Sequence, residues 1–203
     1  MRRGSPPQLE TRNWKLVNFY VLAVILVAFF LRFHDLGAQS LWNDEGSSYV
    51  QATRSFADIA ANAARDIHPP GYYWLLAVWR AFLGDSEFAL RSLSAFASVL
   101  SVAFTYALGK RLFNPLAGLF AALFVALNTF SIYYAQEARM YALLALWAVM
   151  GMWALAGLLK AQHRGTERQR NRESNQHGKQ SFSPSPYTGR GLGGGVEYAL
   201  ALA

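Results

Sequence analysis

Four stretches of this chain carry no charge and are each long enough, or nearly so, to cross a lipid bilayer. They run from Leu16 to Leu31, prolonged by Arg32, which can snorkel, and Phe33; from Ser92 to Gly109; from Leu112 to Gln136; and from Met140 to Leu159. A spanning helix needs roughly 17–25 predominantly apolar residues. Hydrocarbon offers the backbone no hydrogen-bond partner, so such runs must be helical. The expectation is an all-α membrane protein, a polytopic bundle of about four transmembrane helices. A secretory signal peptide competes for the first run, but no small-residue cleavage site follows Phe33, and the run exceeds the roughly 7–15 residues of such a segment.

Charge then sets an orientation. Arg2, Arg3, Arg12 and Lys15 precede the first run, Lys110 and Arg111 separate the second from the third, and Lys160, Arg164, Arg168, Arg170 and Arg172 follow the fourth. A cytoplasmic N-terminus puts all three clusters inside, as the positive-inside rule asks. The segment from His34 to Arg91, whose seven acidic residues outnumber its four arginines, then lies outside, as does the turn Tyr133-Tyr-Ala-Gln-Glu-Ala-Arg139. This accounts for the net charge of +7 without a nucleic-acid partner, since no basic stripe interleaved with aromatics is present. The absence of cysteine excludes disulfides and thiolate metal sites.

The outer segment is longer than an ordinary connection and is expected to carry structure of its own. Asn43 or Asp44 is suited to cap a helix through Ser47, Tyr49, Val50 and Phe56. Pro69-Pro70 ends one element and presets the first turn of another, whose apolar stretch up to Arg80 is too short to span. Tyr72, Tyr73, Trp74 and Trp79 suit a helix lying in the interface. Two juxtamembrane helices flanking a site are therefore expected in this first extracytoplasmic loop.

Asp44 and Glu45 are the first candidates for chemistry, because adjacent carboxylates just outside a membrane are equipped to take a proton or hold a metal. Each also has a plain structural role, Asp44 as helix cap and Glu45 as a first-turn carboxylate favoured by the helix dipole. His68, ahead of two prolines, is a turn residue or a site residue. Glu137 and Arg139 close the third run on the side of Asp44; Arg139 and Arg91 suit either a phosphate contact or interfacial anchoring. Tyr133, Tyr134 and Tyr141 read as aromatic-belt residues.

Taken in order, Leu41-Trp-Asn-Asp-Glu-Gly-Ser-Ser-Tyr49, His68-Pro-Pro-Gly-Tyr-Tyr-Trp74, Arg91 opening a helix and Tyr133-Tyr-Ala-Gln-Glu-Ala-Arg-Met-Tyr141 resemble the amino-terminal part of bacterial membrane glycosyltransferases of the GT-C superfamily. The similarity is to the dolichyl-phosphate-mannose protein mannosyltransferase-like and aminoarabinose transferase-like enzymes, over roughly residues 14–162. The resemblance implies a GT-C fold and transfer of a sugar, with inversion, from a polyprenyl-phosphate donor to a protein, lipid or glycan acceptor outside the bacterial inner membrane. It places the catalytic aspartate at Asp44, with Glu45 beside it, and a second acidic contact at Glu137. His68, Arg91 and Arg139 are expected at the substrates. Asp44, Glu137 and His68 are the candidate ligands if a divalent metal takes part.

Residues 1–162 are thus expected to form the amino-terminal transmembrane part of such an enzyme. From His163 to Gly195 the chain turns polar, then rich in Ser, Pro and Gly, which predicts a disordered insertion or readthrough. Residues 196–203 resemble the start of a further, truncated membrane helix, and the chain as a whole is expected to be an incomplete, inactive fragment. Two other classes remain open from the sequence: a non-catalytic membrane assembly or anchoring subunit, and a transporter or flippase fragment, which should show ionisable residues at midplane or broken helices in paired repeats, whereas the last three runs hold no charge and no internal repeat is visible.

Overall fold

The structure, a computed structural model, describes residues 9–65 and 68–181. Arg2 and Arg3, part of the disordered tract expected to end at Gly195, and the helix start expected at 196–203 lie outside them. The described residues form helices and connections with no strand: α1 (Leu9–Phe33), α2 (Asn43–Ala52), α3 (Phe56–Ala63), α4 (Gly71–Leu83), α5 (Glu87–Leu112), α6 (Pro115–Leu127), α7 (Thr129–Ala135) and α8 (Tyr141–Ser181). Three of these, α1, α5 and α8, contain spans long and apolar enough to cross a membrane; α6 and α7 make a fourth if taken together. This is an all-α, multi-pass membrane protein.

The helix boundaries follow from capping chemistry. The Ser86 hydroxyl accepts from the Ala89 N–H at 3.2 Å and starts α5, and basic Lys110 and Arg111 occupy its last turn, where the helix dipole favours cations. Asn114 accepts from the Ala117 N–H at 2.9 Å with Pro115 in the first turn, which opens α6. The third apolar run does not stay straight. Asn128 leaves the helical region, accepts from the Ser131 N–H at 2.9 Å and begins α7 at a bend of 60°. An asparagine amide competes with the backbone for hydrogen bonds, so a cap arises inside a run that hydropathy alone reads as one helix.

Small residues let the spans approach closely. Ala28 of α1, Val102 of α5 and Ala122 and Ala126 of α6 are buried together. A Cβ on Gly109 would stand 2.7 Å from the Gly118 Cα, and one on Gly118 would stand 2.6 Å from the Tyr106 carbonyl, so both glycines are required by the α5–α6 contact. The large apolar side chains instead point outward: Phe19 is 65% exposed, Phe124 72% and Leu158 69%. On a membrane protein that surface faces lipid.

Three helices, where two were expected, occupy the segment between α1 and α5. α2 ends at Ala52, and Ser55, accepting from the Asp58 N–H at 3.2 Å, caps a separate α3 that begins at Phe56. Neither Asn43 nor Asp44 caps α2. The cap position is Trp42, whose backbone N–H donates to the Glu45 carboxylate at 3.3 Å. Tyr72 and Tyr73 of α4 are buried with Ile59, Leu76, Leu90 and Leu93, so this face of α4 is core; Trp74 and Trp79 anchor through their indole N–H groups to the Phe56 and Ala89 carbonyls.

By contacts, the chain divides after Leu159 into two units, the second beginning at Lys160. Residues up to Ser181 there are helical, where a disordered tract was expected. Glu, Gln, Arg and Lys are good helix formers, and pairs one turn apart add support: His163 with Glu167 at 3.6 Å and Gln169 with Glu173 at 3.4 Å.

Candidate active site

At the end of the bundle that carries α2–α4, one ion pair organises the connections. Arg91, one turn into α5, grips both oxygens of Glu45: Nε to Oε1 at 2.8 Å and Nη2 to Oε2 at 2.6 Å. Its remaining donors go to the carbonyls of Leu36 at 3.1 Å, Gln39 at 2.7 Å and Ser40 at 3.2 Å. Glu45 also accepts from the Ala138 N–H at 2.8 Å. The loop after α1, the start of α2, the start of α5 and the turn after α7 are thereby tied to one buried pair.

Glu45 has no exposed surface. Burial pushes its carboxyl up, but the Arg91 guanidinium and the Ala138 and Trp42 N–H groups outweigh that and hold it below the usual carboxylate range. A carboxylate so saturated is a poor proton acceptor, and Arg91 has its donors turned inward. Both residues, expected from the sequence at the chemistry or the substrate, are held in this buried pair, which lies in the wall of a cleft of about 530 Å³.

Asp44 points the other way. Its side chain is 45% exposed at a cleft of about 800 Å³, which His68, Arg54, Tyr73 and Arg139 also line. Arg139 approaches it on two sides, with Nη2 3.7 Å from Oδ2 and Nη1 donating to the Asp44 carbonyl at 3.3 Å. The Arg139 Nε is buried without a hydrogen-bond partner. A half-exposed carboxylate thus faces a guanidinium that retains donor capacity. Nothing in its local sequence marks Arg54 as a site residue, and Tyr73, which the sequence suits to an interfacial helix, lines the cleft as well.

Glu137 lines a second cleft, of about 530 Å³, with His34, Asp35, Tyr133 and Gln136. Trp42 lines both clefts. Burial, with Glu45 nearby, raises the Glu137 carboxyl above its ordinary value despite a hydrogen bond from the Tyr133 hydroxyl. Tyr133, Tyr134 and Tyr141 form an edge-to-face run with centroid separations of 5.3 and 4.8 Å. Asp44 and His68 thus share one cleft and Glu137 the other. Among the described residues no three His, Asp or Glu side chains group as metal ligands.

An all-helical bundle of apolar spans, capped by short helices that hold a carboxylate and a guanidinium at a cleft, defines a polytopic membrane protein with a polar site at one end. Comparison with known proteins narrows this. Residues 67–166 match the family model described as dolichyl-phosphate-mannose-protein mannosyltransferase. Two curated relatives are undecaprenyl phosphate-alpha-4-amino-4-deoxy-L-arabinose arabinosyl transferases 1 and 2 of Pseudomonas fluorescens. The first is 30% identical over 112 residues, 51% of this chain and 19% of the relative; the second is 29% identical over 142 residues, 60% and 24%. The chain therefore aligns with about a quarter or less of each relative's length. No solved structure matches. The resemblance to GT-C membrane glycosyltransferases is borne out. The family match includes His68, Arg91, Glu137 and Arg139, while Asp44 and Glu45 precede it.

Proposed function

We propose that the protein moves a sugar from a polyprenyl-phosphate donor to an acceptor hydroxyl at the extracytoplasmic face, with inversion, and that Asp44 is the base. The observation that carries this reading is the Asp44 cleft itself. Of the two adjacent carboxylates, one is sealed in an ion pair while the other is half-exposed within 3.7 Å of Arg139. The Asp44 carboxylate takes the acceptor proton as the acceptor oxygen attacks the anomeric carbon. The bond from that carbon to the phosphate oxygen breaks on the opposite face, and polyprenyl phosphate leaves with the electron pair. Arg139, with Arg54 on the same cleft, neutralises the departing phosphate. His68 is assigned to substrate contact and Glu137 to the second cleft, beside the acceptor. The acceptor class is open among protein, lipid and glycan.

The transporter reading asks for an intramembrane cation and a broken helix. Both are present in Arg32 and the α6–α7 bend, but Arg32 is fully buried and its guanidinium is taken up by the Ala126 and Val125 carbonyls of that bend.

With the protein reconstituted in bilayers holding radiolabelled polyprenyl-phosphate sugars and membrane acceptors, Asp44→Asn should keep folding and lower transfer by ~10²–10⁴, the usual contribution of a general base. Near-normal turnover by Asp44→Asn would assign the carboxylate a structural role. Transfer by the unsubstituted protein above an empty-bilayer control would overturn the expectation of an inactive chain, and its absence would remove the glycosyltransferase reading for this chain.

A further inference from the structure

A helix broken within an apolar layer leaves the carbonyls of its last turn without intrahelical donors. At the 60° bend between α6 and α7, two of those carbonyls are taken by a single side chain. Arg32, one residue from the end of α1 and with no exposed surface, donates from Nη1 to the Ala126 carbonyl at 3.1 Å and from Nη2 to the Val125 carbonyl at 3.1 Å. The same Nη2 reaches the Ser131 hydroxyl of α7 at 3.1 Å, and Nε reaches the Ser98 hydroxyl of α5 at 2.7 Å. Nη1 also returns to the Ala28 carbonyl in its own helix at 3.2 Å. One guanidinium therefore touches both sides of the break and the helix beside it. No carboxylate is paired with it among the described residues, so oxygen dipoles alone compensate its charge.

A second tie lies at the far end of α7. Gln136 Nε2 donates to the carbonyls of Leu31 at 3.2 Å and His34 at 3.0 Å, which closes the end of α1. Immediately beyond come Glu137, Ala138 with its N–H on Glu45, and Arg139 with its contact to Asp44. The end of α1 thus holds α7 at both ends.

We propose that Arg32 is a positioning residue: it sets the angle of the α6–α7 break and so holds α7, and the Arg139 turn that follows it, against Asp44. A planar fork with donors on three nitrogens can span two carbonyls of α6, a hydroxyl of α7 and a hydroxyl of α5 at once. A lysine ammonium, radiating from one nitrogen, cannot. The consequence for turnover rests on the glycosyltransferase reading; the consequence for the position of α7 does not.

The absence of cysteine makes a distance measurement direct. Spin labels at Val50 in α2 and Phe130 in α7 report the position of α7, and labels at Val50 and Phe82 in α4 serve as a control; all three side chains are exposed. In the full chain in bilayer discs, Arg32→Lys should broaden and shift the Val50–Phe130 distance distribution and leave the Val50–Phe82 distribution unchanged. Where Arg32→Lys does not fold, Ser131→Ala, which removes one contact on α7, should give the same response at smaller amplitude. An unaltered Val50–Phe130 distribution in the folded variants would overturn the proposal, as would equal broadening of both pairs. These distances require no donor, so a protein that transfers no sugar refutes the catalytic reading while leaving Arg32 to be judged on the distances. Where transfer is measured, Arg32→Lys should lower kcat, and Arg32→Gln should do no better.

Discussion

At the residue scale the site depends on two adjacent carboxylates meeting opposite environments. Glu45 at the third position of α2 turns into the bundle and meets Arg91, while Asp44, one residue earlier and so about 100° around the helix, turns to the cleft. Breaking a buried pair by removing one partner leaves the other charge uncompensated, which costs about 3–5 kcal/mol. Glu45→Gln should therefore lower the thermal stability of the protein in detergent, and Arg91→Lys should do likewise, because an ammonium cannot reproduce the bidentate contact and the carbonyl contacts together. The acid dependence follows in sign. The Glu45 carboxyl is lowered on folding from its ordinary 4.5, so its contribution to stability is present above that value and lost as the pH falls through the lowered folded value. Unfolding curves collected as a function of pH should show an acid limb in the parent that Glu45→Gln flattens; an unchanged limb would reassign the acid sensitivity to other carboxyls.

At the element scale, the close approach of α5 and α6 depends on backbone meeting backbone. A methyl group on Gly118 would lie 2.6 Å from the Tyr106 carbonyl and 2.8 Å from the Lys110 nitrogen, neither of which can move without parting the helices. Gly118→Ala should cost about 1–3 kcal/mol as overpacking, read as a lower unfolding midpoint. Gly151→Ala in α8, where nothing lies within 4 Å, should be near-neutral. Equal effects from the two substitutions would show that helix propensity, and not the α5–α6 contact, governs both. The break at Asn128 also belongs to this scale: apolar residues continue on both sides of it, and a cap within the run divides one expected span into two helices.

At the scale of the whole molecule, the arrangement of spans carries an orientation that the distribution of basic residues predicts and that labelling can decide. Single cysteines at Ser47 and Ala61, both exposed, should react in intact cells with a membrane-impermeant thiol reagent, and one at Gln162 should react only after permeabilisation. Reaction at Gln162 from outside would place the Asp44 cleft on the cytoplasmic side and remove an extracytoplasmic acceptor. The molecule also separates Asp44 and Glu137 into two clefts, both of which Trp42 lines.

By itself the sequence determined the class of fold, because charge-free runs of spanning length have one solution in lipid, and its ordered motifs marked Asp44, Glu45, His68, Arg91, Glu137 and Arg139 through their resemblance to GT-C glycosyltransferases. The break at Asn128 was locally written, yet hydropathy averaged over it. What only the tertiary structure decided is which charges are sealed and which are open. Arg32 suggests a snorkelling side chain next to the end of a run, but its oxygens lie on α5, α6 and α7, up to 99 positions away in the chain. Glu45 and Arg91 are 46 positions apart and pair through both oxygens, a match of geometry that no local pattern encodes. A side chain's neighbours along the chain set its propensity; whether a carboxylate can take a proton is set by the groups that folding brings against it.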